Sequence, residues 1–137
     1  MIEHIRHQDR LLALVIRRDY KSAGIEFFTP GDFSQQVAYM YRDAGTSVKP
    51  HYHKEVHRTV SLTQEVLFIK SGRVLTEIFN EHLVKVAELT LEAGDTILLA
   101  SGGHGFTMLE PTEMIEVKQG PYGGPEDKTI FTPKSDD

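Results

Sequence analysis

Apolar residues recur at every second position along most of this chain, in short runs cut off by glycine, aspartate or proline. Alternation at period two puts successive side chains on opposite faces of an extended chain, whereas a helix would repeat near 3.6 residues. In residues 36–42 (QVAYMYR) it sets Val37, Tyr39 and Tyr41 on one face and Ala38 and Met40 on the other. Residues 65–70 (EVLFIK) run into Ser71-Gly72 and on into residues 73–79 (RVLTEIF), which predicts a hairpin about a tight turn. Residues 84–91, 96–99, 105–109 and 113–119 continue the pattern. The expectation is an all-β chain of about ten strands with no helix longer than two turns. That many strands in so short a chain leaves an antiparallel sandwich or a barrel.

At 137 residues the chain has the length of one domain and can bury a core without disulfides. It has no cysteine, which removes thiolate nucleophiles and cysteine zinc sites and suits a reducing compartment. Residues 11–16 (LLALVI) are too few for a signal-peptide core, and no run approaches a membrane span. A cytoplasmic protein is expected, with no membrane partner. The net charge of -5 and the scattered Lys and Arg also argue against a nucleic-acid partner. The segment from Pro121 is polar and rich in glycine and proline, and is expected to wrap the surface with its last few residues loose.

Chemistry concentrates in residues 50–72, PHYHKEVHRTVSLTQEVLFIKSG. His51 and His53 are spaced i and i+2, which in an extended strand points both imidazoles to one side, as a shared ion requires. Pro50 favours that extended conformation. Glu65 leads a row that continues with Leu67 and Ile69, and a carboxylate among buried apolar neighbours is costly unless it is paired or bound to a cation. Downstream, His104 stands between Gly103 and Gly105 and shares a strand face with Phe106 and Met108. His4, His7 and His82 lie in polar terminal or turn contexts and read as solvated.

Together these segments resemble the cupin superfamily, whose first motif is G-x5-H-x-H-x3-4-E-x6-G. Here Gly45 precedes His51 and His53 at that spacing, and Glu65 precedes Gly72 at that spacing. The second motif is G-x5-P-x-G-x2-H-x3-N. Here Gly94 opens it, Ala100 replaces the proline, Gly102 is kept, His104 falls one residue early and Met108 replaces the asparagine. The gap between His53 and Glu65 is longer than in the family, and the segment KEVHRTVSLTQ fills it.

The resemblance implies a single cupin domain over residues 1–137, folded as a double-stranded β-helix or jelly-roll barrel. N-terminal strands would occupy residues 1–44, a metal-binding core residues 45–109 and a polar tail residues 121–137. It further implies that His51, His53, Glu65 and His104 hold one divalent transition metal. Three imidazoles and one carboxylate suit iron, manganese, nickel, zinc or copper without choosing among them. His57 is a candidate additional ligand or substrate contact. Tyr39, Tyr41, Arg58, Gln64, Glu116 and Lys118 are candidates for the pocket wall. Two function classes follow: a small metal-dependent enzyme of oxygenase or isomerase/epimerase type acting on a sugar derivative or organic acid, or a non-catalytic module binding such a molecule. Lack of an attached DNA-binding or second catalytic domain favours the enzyme. A homodimer is also implied, with residues 11–16 a candidate interface strand.

Overall fold

The structure, a computed structural model, describes residues 1–135. Its chain forms two compact units: Met1–Tyr20 joined with the chain from Leu62 onward, and Lys21–Ser61. Among the described residues the regular elements are ten strands and a 3-10 turn at Pro125–Asp127, and no helix is long and apolar enough to cross a membrane. The strands pair antiparallel throughout. The expected looseness of the last few residues falls partly on positions 136 and 137, outside the described residues.

The first unit holds two sheets. One orders its strands β1 (Ile2–His7), β2 (Arg10–Ile16), β8 (Thr96–Leu99), β5 (Glu65–Ser71) and β10 (Glu113–Lys118). The other orders β7 (Lys85–Glu92), β6 (Arg73–Phe79) and β9 (Gly103–Met108). Registers align the inward rows. Val15 faces Ile97, Ile97 faces Leu67, and Leu67 faces Glu116 across the first sheet. In the second, Val74 faces both Leu91 and Met108, and Thr76 faces Leu89 and Phe106. Leu12, Ala13, Val15, Leu67, Ile69 and Ile97 pack with Val74, Ile78 and Leu91 into one core, so each sheet covers the apolar face of the other.

Two expectations are corrected here. β5 and β6 do not form a hairpin: β5 pairs with β8 and β10, and β6 pairs with β7 and β9. Ser71-Gly72 is a corner that sends the chain from one sheet to the other. Gly72 has φ +95°, and a β carbon there would overlap Thr112 Oγ1 and lie 2.5 Å from the Pro111 carbonyl oxygen. Residues 11–16 also cannot offer an interface edge, because β2 is flanked by β1 and β8, and Leu11 through Val15 are buried.

A buried carboxylate joins the two sheets of this unit. Asp95 lies in the turn between β7 and β8 with its side chain 4% exposed. Its Oδ1 accepts the Arg18 backbone N–H at 2.8 Å, and its Oδ2 accepts the Glu92 N–H at 2.7 Å and Arg17 Nη1 at 3.1 Å. Arg17 in turn donates to the Thr90 carbonyl at 2.6 Å and pairs with Glu3 of β1. Strands β1, β2, β7 and β8 are thus fastened at one point.

The second unit carries the pair β3 (Ile25–Phe27) and β4 (Ala38–Met40), with Glu26 opposite Tyr39. The loop between them is closed by Thr29 Oγ1 to Gln36 Oε1 at 2.8 Å and by Gln36 Nε2 to the Pro30 and Phe33 carbonyls. None of its residues is buried, and residues 41–61 form no strand.

Asp95→Ala leaves Arg17 and two backbone donors without their acceptor and is expected to lower the unfolding free energy by about 3 kcal/mol in urea titration. Gly72→Ala forces a β carbon into the corner and is expected to cost about 2 kcal/mol by the same measurement.

Candidate functional site

Alternation within β5 turns Glu65 inward with Leu67 and Ile69, and the β10 register places Lys118 opposite Glu65 and Glu116 opposite Leu67. The inner face of the first sheet therefore changes from hydrocarbon to charge at this end. Lys118 Nζ stands 3.8 Å from Glu65 Oε1 and 3.8 Å from Glu116 Oε2. The Glu65 side chain is only 15% exposed. Burial, followed by a hydrogen bond to Glu116 and that residue's charge, pushes the Glu65 carboxyl up to about 7, while Lys118 and Lys128 pull the other way. In its protonated form Glu65 donates a hydrogen bond to Glu116.

The second sheet contributes the facing wall. On β9, His104 shares its inward row with Ile78, and Phe106 shares its own with Thr76. The rings of His104 and Phe106 are 5.5 Å apart. His104 keeps an exposed side, but partial burial of its ring lowers its pKa, against the pull of Glu116 and with the charges of Lys118 and Lys128. The imidazole is therefore neutral at physiological pH and can donate one hydrogen bond and accept another.

Glu65, His104, Phe106, Glu116, Lys118 and Lys128 line a cavity of about 900 Å³. The chain after the 3-10 turn closes part of it. Phe131 meets Phe79 edge to face, with centroids 5.2 Å apart, and a β carbon at Gly103 would come within 2.8 Å of the Phe131 ring. The glycine before His104 thus leaves room for the C-terminal segment. Lys134 N donates to the Leu83 carbonyl at 2.9 Å and anchors that segment to the turn between β6 and β7.

The remaining sequence candidates belong to other parts of the chain. His51, His53, His57, Arg58, Tyr39 and Tyr41 belong to the second unit, where all but Tyr39 are exposed. The His51 and His53 rings come together at 5.4 Å, and His51 Nδ1 is 2.8 Å from the Lys49 carbonyl oxygen. These two histidines sit in irregular chain rather than in a paired strand. Gln64 is buried outside the cavity wall, where its Nε2 donates to the Ala100 carbonyl at 3.4 Å and its own carbonyl accepts the Gln119 N–H.

Within neither unit do three or more His, Asp or Glu form a metal-holding group among the described residues. In the first unit Glu65 already has an ammonium for its cation, and its donors alone do not make a metal centre.

Lys128 and Phe131 were not legible as site residues, since they lie in a segment without strand alternation. His82 is exposed as expected, whereas His7 is half-buried. His7 Nδ1 is 3.4 Å from Glu81 Oε2, and His82 Nε2 is 3.7 Å from Glu81 Oε1. No protein-family model, curated protein or solved structure matches the chain.

Because Glu65 binds its proton more tightly folded than at its ordinary value of 4.5, stability falls as pH rises from that value through about 7 and is flat above. Unfolding free energies of wild type and Glu65→Gln, measured from pH 4 to 8.5, are expected to diverge over that window, with the variant lacking the decline.

Proposed function

We propose that this chain is a cupin-type protein, its sheets those of a double-stranded β-helix, that binds a small polar molecule in the cavity and moves a proton on it, as isomerases and epimerases do. The motif spacings around Gly45, Gly72 and Gly94 support the fold assignment. The activity rests on one observation: a buried carboxyl that exchanges its proton near pH 7 faces the same cavity as a neutral imidazole. A base with that affinity can both take and return a proton at neutral pH. Ionised Glu65 takes the proton from carbon beside a carbonyl and returns it to the neighbouring carbon or the opposite face, and Lys118 offsets the negative charge that develops. His104 is placed to hydrogen-bond the carbonyl oxygen from the other wall.

A second reading is favoured by the adjacent His51 and His53 rings. In it the motif residues His51, His53, Glu65 and His104 hold a divalent metal, which supplies Lewis-acid or oxygen-binding chemistry. It rests on the motifs, and Lys118 beside Glu65 weighs against it. In a non-catalytic binding module the same cavity would hold its ligand unchanged.

Hydroxy acids, keto acids and aldoses incubated with the protein in D₂O and followed by NMR separate the three. Proton transfer predicts deuterium at carbon beside a carbonyl, undiminished by chelator and slowed by about a hundredfold or more in Glu65→Gln. Loss with chelator, together with stoichiometric metal that His51→Ala and His104→Ala remove, would establish the metal reading. Saturable binding without exchange would leave the module.

A further inference from the structure

We propose that the free edge of β10 joins the same edge of a second copy of this chain, antiparallel about a two-fold axis, with Glu116 of each copy opposite Lys118 of the other. The pairing does not depend on what the cavity binds. The first sheet ends at β10, and among the described residues no strand or loop backbone pairs with its outer side. Gln119 N donates to the Gln64 carbonyl at 2.9 Å, in step with Lys118 opposite Glu65 and Val117 opposite Val66. Bonding alternates along an antiparallel ladder, so Ile115 and Val117 direct their backbone groups to β5, and Met114, Glu116 and Lys118 direct theirs to the open side.

An open edge is normally guarded by polar side chains or proline. At the opposite end of the sheet, β1 follows this rule, its exposed side chains being His4 and Arg6. On β10 the outward row is apolar instead. Ile115 and Val117 are each 54% exposed, and Phe68, the β5 residue beside Ile115, is 40% exposed. A strand that keeps hydrocarbon and unsatisfied backbone groups at one edge is built to be continued by another strand.

Charge selects the occupant and the register. A two-fold axis sets inward residues against inward residues, so Met114, Glu116 and Lys118 of one copy must face members of the same row in the other. Setting Glu116 against the partner's Glu116 brings like charges together. Setting it against the partner's Met114 leaves both β10 charges facing uncharged residues. Setting it against the partner's Lys118 gives opposite charges on both sides of the axis, with like charges only on the diagonals. The other acidic residue of β10, Glu113, lies beyond this overlap and accepts from Ser71 Oγ at 2.9 Å. In the same register Val117 meets the partner's Val117 on the outward face, with Ile115 and Phe68 extending the apolar strip. The partner's Lys118 also comes beside Glu116, a residue of the cavity wall.

Sedimentation equilibrium of the full chain from about 1 to 100 μM, with amide exchange at both ends of that range, tests the pairing. Wild type is expected to dimerise within it, slowing exchange at the Glu116 and Lys118 amides and leaving those of Ile115 and Val117 unchanged. Val117→Lys sets like charges across the axis and is expected to weaken the dimer by about tenfold or more, whereas Val86→Lys on β7 should not. Glu116→Lys and Lys118→Glu should each weaken it about tenfold alone, yet associate with wild-type strength when mixed, because each then meets its opposite charge. Unchanged urea midpoints establish that the variants fold; should Val117→Lys not fold, the mixed charge variants decide. A chain still monomeric at about 100 μM overturns the proposal, as does a dimer indifferent to Val117→Lys or charge variants that fail to associate when mixed. A dimer weakened by Val117→Lys but not by Lys118→Glu overturns the register.

Discussion

The Asp95 carboxylate is the constraint on which the first unit depends. A buried anion is costly unless every lone pair finds a donor, and here two backbone N–H groups and a guanidinium supply them. Those donors come from the ends of β2 and β7, on different sheets. Satisfying the charge therefore fixes where one sheet begins relative to the other, and the inward rows that follow inherit that registration. Glu65 and His104 can face one cavity because the strands that carry them are held by cores and ladders set from this end.

The cavity reverses the logic of the Asp95 site. Asp95 is paired until its charge is fully compensated, whereas Glu65 has a carboxylate for its hydrogen-bond partner and a more distant ammonium. Such a group is held at the edge of ionisation, which is poor for stability and suited to proton transfer. Two carboxyl groups on adjacent strands, separated by the register of β10 against β5, are enough to produce it.

Strand existence was legible because period two is a local property: residues 96–99 and 65–71 form strands where alternation and turn residues set them. The inward direction of Glu65 was legible for the same reason, and so was the shared side of His104 and Phe106. Partner choice was not, because the same alternation in β5 and β6 allows a hairpin or a corner, and only Gly72 packed against Pro111 and Thr112 decides it. Lys128 and Phe131 escaped notice since nothing in KTIFTP says which wall it will cover. The opposing pull of Glu81 on His7 and His82 joins a strand at the N-terminus to a turn far along the chain, a proximity that no local pattern encodes.

Unit one is assembled from two stretches of chain with residues 21–61 between them, and its central pairing sets Ala13 against Leu99. Closing so long a loop must precede the contacts that reward it, so the chain belongs among proteins dominated by non-local pairing, which fold in milliseconds to seconds. During synthesis β2 emerges long before its partner β8. For that interval the β2 edge that will meet β8, in a strand with six consecutive apolar residues, has only β1 beside it, and the speed with which the later strands arrive governs whether it finds β8 or another molecule.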